Sequence, residues 1–333
     1  MSFTPSVALV SPYVISDPEF LEARLCFVTP NGETWTGRVD PQTGLGAGHI
    51  KDRLLAADGS TASTMARFNG PEWFLHNGVW RVVYTRTFDG ATGWEVWSSL
   101  PDGTDARHIA GPEAAGAIGT KAPTGPARIL CVRGLPGSQE GVYCSLEDPA
   151  MRPIPGYVAG TYDAARPVVG ESDRITYGAG NAIRLLDFNV GEPVDLIHDC
   201  GGPVVNAWYK PAVVGDPGYI LAIIGRSKVS IWRDGLRVDI VPPADCPYGY
   251  LGSVEPFPTL PYVSFQAGAT AALDAPAAII VASMDGTLVR RVDDGAVTGH
   301  ALARTEPEPV ELPGGTAVYF GVTGKLYRAW TGL

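Results

Sequence analysis

Prolines that open short strand-like runs recur along this chain at positions 12, 71, 123, 167, 211, 256 and 309. They lie 44 to 59 residues apart, and each is followed by a turn and an apolar run, such as Leu25-Cys-Phe-Val28 or Tyr219-Ile-Leu-Ala-Ile-Ile224. A period of this length describes repeated units that bury their apolar faces by stacking on neighbours. The clearest unit begins at Gly70. Its first two strand-like runs are joined by Asn77-Gly78, and a type I′ hairpin turn requires positive φ at both central residues. A third run surrounds Trp94 to Trp97, and a fourth, Ala106 to Ala110, follows the turn Pro101-Asp-Gly-Thr104. Four short antiparallel strands in about 45 residues make one propeller blade.

Composition agrees. With 41 glycines and 29 prolines in 333 residues the chain is too often interrupted for a helical bundle, and at 45% hydrophobic it is too apolar for disorder. The expected fold is all-β: a single β-propeller domain over residues 1–333, with four-stranded antiparallel blades. Seven blades are favoured. Six is the alternative, because the unit after Pro256 carries an irregular insert around residues 267–278. Only 24 residues follow Pro309, too few to complete a blade, so residues 5–10 are expected to pair with the run near Leu326 to Trp330. One short helix is expected over residues 50–57, and residues 111–119 read as loop.

Several functions are disfavoured. The net charge of −10 lacks the basic face a nucleic-acid binder needs. No apolar run approaches the ~18 residues of a membrane span. The N-terminal residues show no basic segment followed by a long apolar one, so no secretory signal is expected. Cys26, Cys131, Cys144, Cys200 and Cys246 form no Cys-x-x-Cys pair, which favours buried, reduced thiols in a cytoplasmic protein over a zinc or redox motif.

The second unit resembles the WD40-like (PD40-type) repeat of TolB-like propellers. The matching residues are Pro71-Glu-Trp73, Asn77-Gly78, Arg81-Val-Val-Tyr84, Trp94-Glu-Val-Trp97, Asp102-Gly103 and Ala106-Arg-His-Ile109. The resemblance covers about 40 residues, and is fainter in the units at Pro211 and Pro309. It implies a fold rather than an activity, since such propellers include protein-binding modules, peptidase gate domains and a few lyases. Oligogalacturonate lyases of this kind hold a metal with clustered histidines. His49, His76, His108, His198 and His300 share no blade position, so neither metal nor cofactor is expected. Furanosidase glycosidases are a similar five-bladed class, and seven anchors count against them.

Loops on one face of a propeller carry most functional side chains. The residues before the seven prolines are therefore expected to converge at a channel mouth: Ser11, Gly70, Ala122, Arg166, Lys210, Glu255 and Glu308, with Asn69, Lys121, Tyr209 and Glu72 beside them. Arg166, Lys210, Lys121, Asn69 and Glu72 form the expected ligand-binding set, with Arg166 able to fork onto a carboxylate or phosphate. Glu255, Glu308 and Tyr209 form the expected catalytic set, a desolvated glutamate serving as acid or base. The pairs Asp17/Glu19 and Glu171/Asp173, and His76, are assigned to turns on the opposite face. Asp40 to Gly44 lacks the further acids of a calcium loop.

Three functions remain open. One is a propeller that binds and converts a small organic molecule, an anionic one among the candidates, as a lyase, cyclase, isomerase or hydrolase. The second is a scaffold for a peptide or partner protein. The third is a glycosidase using two carboxylates about 5 to 10 Å apart.

Overall fold

A computed structural model describes residues 6–14, 16–29, 33–46, 51–54, 60–62, 70–88, 93–134, 140–157, 165–271, 273, 276–298 and 302–333. Seven antiparallel sheets follow one another along the chain, each built on four strands; in blade two the short strand Ser60–Ala62 adds to the edge of Val79–Phe88. The first strands are Ser16–Leu21, Glu72–His76, Ala114–Gly119, Arg166–Pro167, Val204–Lys210, Tyr250–Pro256 and Thr305–Leu312, in blades one to seven. Each first strand touches that of the next blade, and blade seven touches blade one, so these strands encircle a central channel. The ring closes as expected. Ser6–Val14 is the outermost strand of blade seven and pairs antiparallel with Lys325–Trp330, from Ser6 opposite Trp330 to Val14 opposite Lys325.

Side chains alternate across a strand, so each middle strand serves two neighbours. In Ala277–Ser283 of blade six, Ala278, Ile280 and Ala282 pack toward blade five, whereas Ile279 and Val281 pack toward blade seven. Among the described residues there are seven apolar clusters, each shared by two adjacent blades. The core is thus a set of wedges between blades. All five cysteines are buried and none forms a disulfide.

Three local expectations are corrected. Lys51–Leu54 is the outer strand of blade one, not a helix, because it completes the sheet edge beside Thr34–Arg38. Ala114–Gly119 is the first strand of blade three, not loop, because its small residues fit the crowded wall of the channel. A Cβ atom at Gly119 would lie 2.3 Å from the Phe74 side chain. Pro12 opens no blade. It lies in the closing strand, and blade one starts at Ser16. The one helix among the described residues is the single turn Gly295–Thr298. No helix among them is long and apolar enough to cross a membrane.

Candidate functional site: a bulged ring of carboxylates

The channel wall carries a repeated irregularity. In the first strands of blades one, three, five, six and seven the register with the second strand slips once. At each slip one residue has positive φ: Asp17, Gly116, Asn206, Ser253 and Glu306. This is a β-bulge, which adds a residue to one strand and re-aims the side chains after it. Four of the five are not glycine, although positive φ costs L-residues energy, and such strain gathers at functional sites.

Two residues beyond the bulges stand Glu19, Ile118, Trp208, Glu255 and Glu308. Blades two and four add Glu72 and Arg166 to the same group. Arg166 reaches across the channel: its Nη1 lies 3.8 Å from Glu72 Oε1, and its Nη2 lies 3.4 Å from Glu255 Oε1. These partners sit two blades away on either side. The guanidinium lies 4.9 Å from the centroid of the Trp208 ring, whose Nε1 donates to Val254 O at 2.9 Å. The side chains of Arg166, Glu72 and Glu255 are only 11–13% exposed. Two further carboxyls come from the bulges themselves. Asp17 N donates to Glu306 Oε2 at 3.0 Å, and Gly70 N donates to Asp17 Oδ2.

Five carboxyls thus gather about one guanidinium, and Glu306 joins them through Asp17. Burial disfavours their charged forms, and each charge disfavours the next. Burial raises Glu72 to about 8, opposed first by Arg166 and reinforced by Asp17 and Glu255. Burial raises Glu255 to about 7 against the pull of Arg166. Burial and the Asp17 charge raise Glu306 to about 8, and burial raises Asp17 to about 6. Burial and then the Glu308 charge push Glu19 well above the usual carboxylate range; burial and then the Glu255 charge do the same to Glu308. Burial also works against the Arg166 charge, but Glu255, Glu72, Glu19 and Glu308 outweigh it. Burial and mutual repulsion thus hold this coupled group of acids above the usual carboxylate range around one cation. Cys26 is close by; burial and the nearby acids raise its thiol, which donates to Pro71 O at 3.1 Å. Among the described residues no three His, Cys, Asp or Glu side chains form a set able to hold a metal ion.

Of the expected site residues, Arg166, Glu72, Glu255 and Glu308 come together here. Lys121 lies just beyond its first strand, exposed, with Nζ 5.9 Å from the Trp80 ring, and its charge lowers the Glu72 carboxyl. Lys210 does not join: it ends its strand and pairs with Asp216 in its own hairpin, Nζ to Oδ2 2.6 Å. Tyr209 is placed by its backbone, whose carbonyl accepts from Val169 N at 2.9 Å. Asn69 lies outside the described residues. The prolines failed as a common ruler because they stand at different heights. Pro256 ends its strand and Pro309 lies within one, whereas Pro123 and Pro211 follow theirs.

Asp17 and Glu19 are not turn residues on the opposite face. They belong to the first strand of blade one and face the cluster. The available signal was the recurrence of a polar residue two positions before Glu255 and Glu308, at Ser253 and Glu306, as at Asp17 before Glu19. Glu171 and His76 do keep structural roles. Glu171 pairs with Arg174, and the His76 ring bridges Ala127 N at 3.2 Å and Glu147 Oε1 at 2.8 Å.

The architecture defines the class: a seven-bladed β-propeller with four-stranded blades. No protein-family model matches the chain, and no curated protein matches it. Solved structures do. The β-propeller domain of Cps50 (Swd1) from Myceliophteria thermophila is 9% identical and has a TM-score of 0.61, over 97% of this chain and 99% of that one. YCF48 bound to D1 peptide is 12% identical with a TM-score of 0.55, over 99% and 96%. A TolB from Agrobacterium tumefaciens is 17% identical with a TM-score of 0.46, over 68% and 80%. The likeness to Cps50 and YCF48 is one of fold.

Proposed function

We propose that this propeller binds a small organic molecule at the waist of its channel and converts it by proton transfer, with Glu255 and Glu308 as the acid–base groups. The observation that carries this reading is the assembly of Arg166 with Glu72 and Glu255 from blades two apart, inside a ring that also holds Glu19 and Glu308. A carboxyl raised to about 7 is well matched to acid–base work at neutral pH. The ligand favoured by charge carries a basic nitrogen or hydroxyl donors. Arg166 is already shared by two glutamates and Lys210 is held by Asp216, so the channel offers an anion little. Glycoside hydrolysis fits less well. It needs one neutral acid beside one readily ionised carboxylate, and here burial raises every member.

A second reading, a scaffold for a peptide or partner protein, is favoured by Val213 and Val214. They stand 65% and 106% exposed on the hairpin after Lys210. YCF48, similar in fold over nearly the whole chain, is bound to D1 peptide in its solved structure.

Mass spectrometry of a metabolite extract incubated with the protein tests the first reading. The wild type is expected to consume a basic or polyhydroxylated metabolite catalytically, and Glu255→Gln and Glu308→Gln to slow this about a hundredfold or more. Equal turnover in the folded variants, or an unchanged extract, would remove the assignment. The scaffold reading would then lead.

A further inference from the structure

We propose that a second site, the cleft between blades five and six, binds a small apolar carboxylate. None of the acid ring's carboxyls lines it, and the proposal stands independently of the channel's function. Its volume is about 220 Å³. Lys210, Arg233 and Asp216 form its polar side, and Phe257, Leu260 and Met284 its apolar side.

Arg233 is the central observation. It ends the strand Lys228–Arg233, just before a tight turn through Asp234 and Gly235. Its Nε is buried with no hydrogen-bond partner, and its charge helps to lower the neighbouring Asp216 carboxyl. A buried guanidinium nitrogen without an acceptor is costly unless a ligand supplies one, and the guanidinium fork fits a carboxylate. The acid in the cleft, Asp216, feels the Arg233 charge but supplies no acceptor to its Nε. Asp216 accepts from Lys210 Nζ at 2.6 Å through Oδ2 and from Gly218 N at 2.9 Å through Oδ1, so both oxygens are engaged within its own hairpin. Two cations and one acid leave the cleft positive on a chain of net charge −10. Burial, then the Glu255 and Asp216 charges, keep the Tyr219 hydroxyl protonated, so it adds no second anion.

The apolar wall is set in advance. Glu311, from blade seven, accepts from Thr259 N at 2.8 Å, from Thr259 Oγ1 at 2.5 Å and from Leu260 N at 3.1 Å. Met284 N donates to Pro261 O at 2.9 Å. A wall held this way loses little freedom when a ligand enters. The cleft is smaller than the roughly 300–1,000 Å³ of a drug-sized site. It suits one residue-sized apolar group with its carboxylate, either a free acid or the C-terminal end of a peptide.

Calorimetric titration separates these sources. The probes are N-acetyl-leucine, a hexapeptide ending in leucine with a free carboxylate, and the same peptide as its C-terminal amide. Saturable binding of a free-carboxylate probe is expected. The amide and the Arg233→Gln protein should each weaken it by about tenfold or more, and Arg233→Lys by less. Arg152→Gln, an exposed ion-pair variant elsewhere, should leave it unchanged. Equal binding of both free-carboxylate probes would identify a free acid as sufficient; binding of the peptide alone would identify a chain terminus. The proposal falls if no probe saturates below about 10 mM, if the amide binds as well as the acid, or if neither Arg233→Gln nor Lys210→Gln, each checked for folding by circular dichroism, alters the titration.

Discussion

At the scale of single residues, the molecule turns on Arg166. One buried guanidinium stands among carboxyls that cannot all be ionised, so its loss exposes their mutual repulsion. Removing one partner from a buried charge set costs about 3–5 kcal/mol. Arg166→Leu is expected to lose that much at pH 8, where the ring carries most negative charge, and clearly less at pH 5.5, where the acids are protonated. Urea unfolding at both pH values measures this, and an equal loss at each would refute it. The wild type has a related signature. Glu72 and Glu306, raised to about 8, Glu255 to about 7 and Asp17 to about 6 all lie above the unfolded values of 4.5 and 3.8. As pH rises the unfolded chain releases these protons first, so their stabilisation is complete below about pH 4 and is lost as pH rises through about 6 to 8. Asp105, Asp239 and Asp285, lowered to about 2, act oppositely but only in stronger acid. Thermal melts should therefore give a higher Tm at pH 5.5 than at pH 8. Glu72→Gln should raise stability at pH 8, by about 1 kcal/mol or more, and change little at pH 5.5.

At the scale of elements, turns and bulges divide the labour. The Asn77-Gly78 turn has φ of 50° and 75°, as the dipeptide predicted. Gly78 also faces Pro123 O, which would lie 3.1 Å from an added Cβ, whereas Gly125, with φ of 79°, has open space. Gly125→Ala should cost only the left-handed backbone penalty, about 1–2 kcal/mol. Gly78→Ala should cost more, because a backbone oxygen must also move. Chemical denaturation of the two variants checks the ranking. Such turns were legible because two adjacent residues specify them. The bulges were not, because Asp17, Asn206, Ser253 and Glu306 are not glycines and nothing in their neighbours demands positive φ. A single inserted residue then decides whether Glu19 or its neighbour meets the channel. The same limit explains Lys51–Leu54, whose helix-like sequence is overruled by an open sheet edge.

At the scale of the whole molecule, closure is the controlling event. Ser6–Val14 covers the edge of Lys325–Trp330, and Val10 enters the cluster between blades seven and one. Deleting residues 1–14 would bare a strand edge and open that wedge, at a cost on the order of 5 kcal/mol. The truncated protein is expected to unfold at lower denaturant and to self-associate, as gel filtration would show. A monomer of wild-type stability would contradict closure by this strand.

The blade count, the pairing of the two chain ends and most hairpins could be read from the sequence, because a repeat period and turn chemistry are local properties. Arg166, Glu72, Glu255 and Glu308 were also legible as candidates, each lying within one residue of a recurring proline. Their common ring, the addition of Asp17, Glu19 and Glu306, and the departure of Lys210 to a separate cleft were decided only in three dimensions. The reason is physical. Strand periodicity assigns a side chain to one of two faces, but the bulges reset that assignment, and ring closure brings together residues hundreds of positions apart.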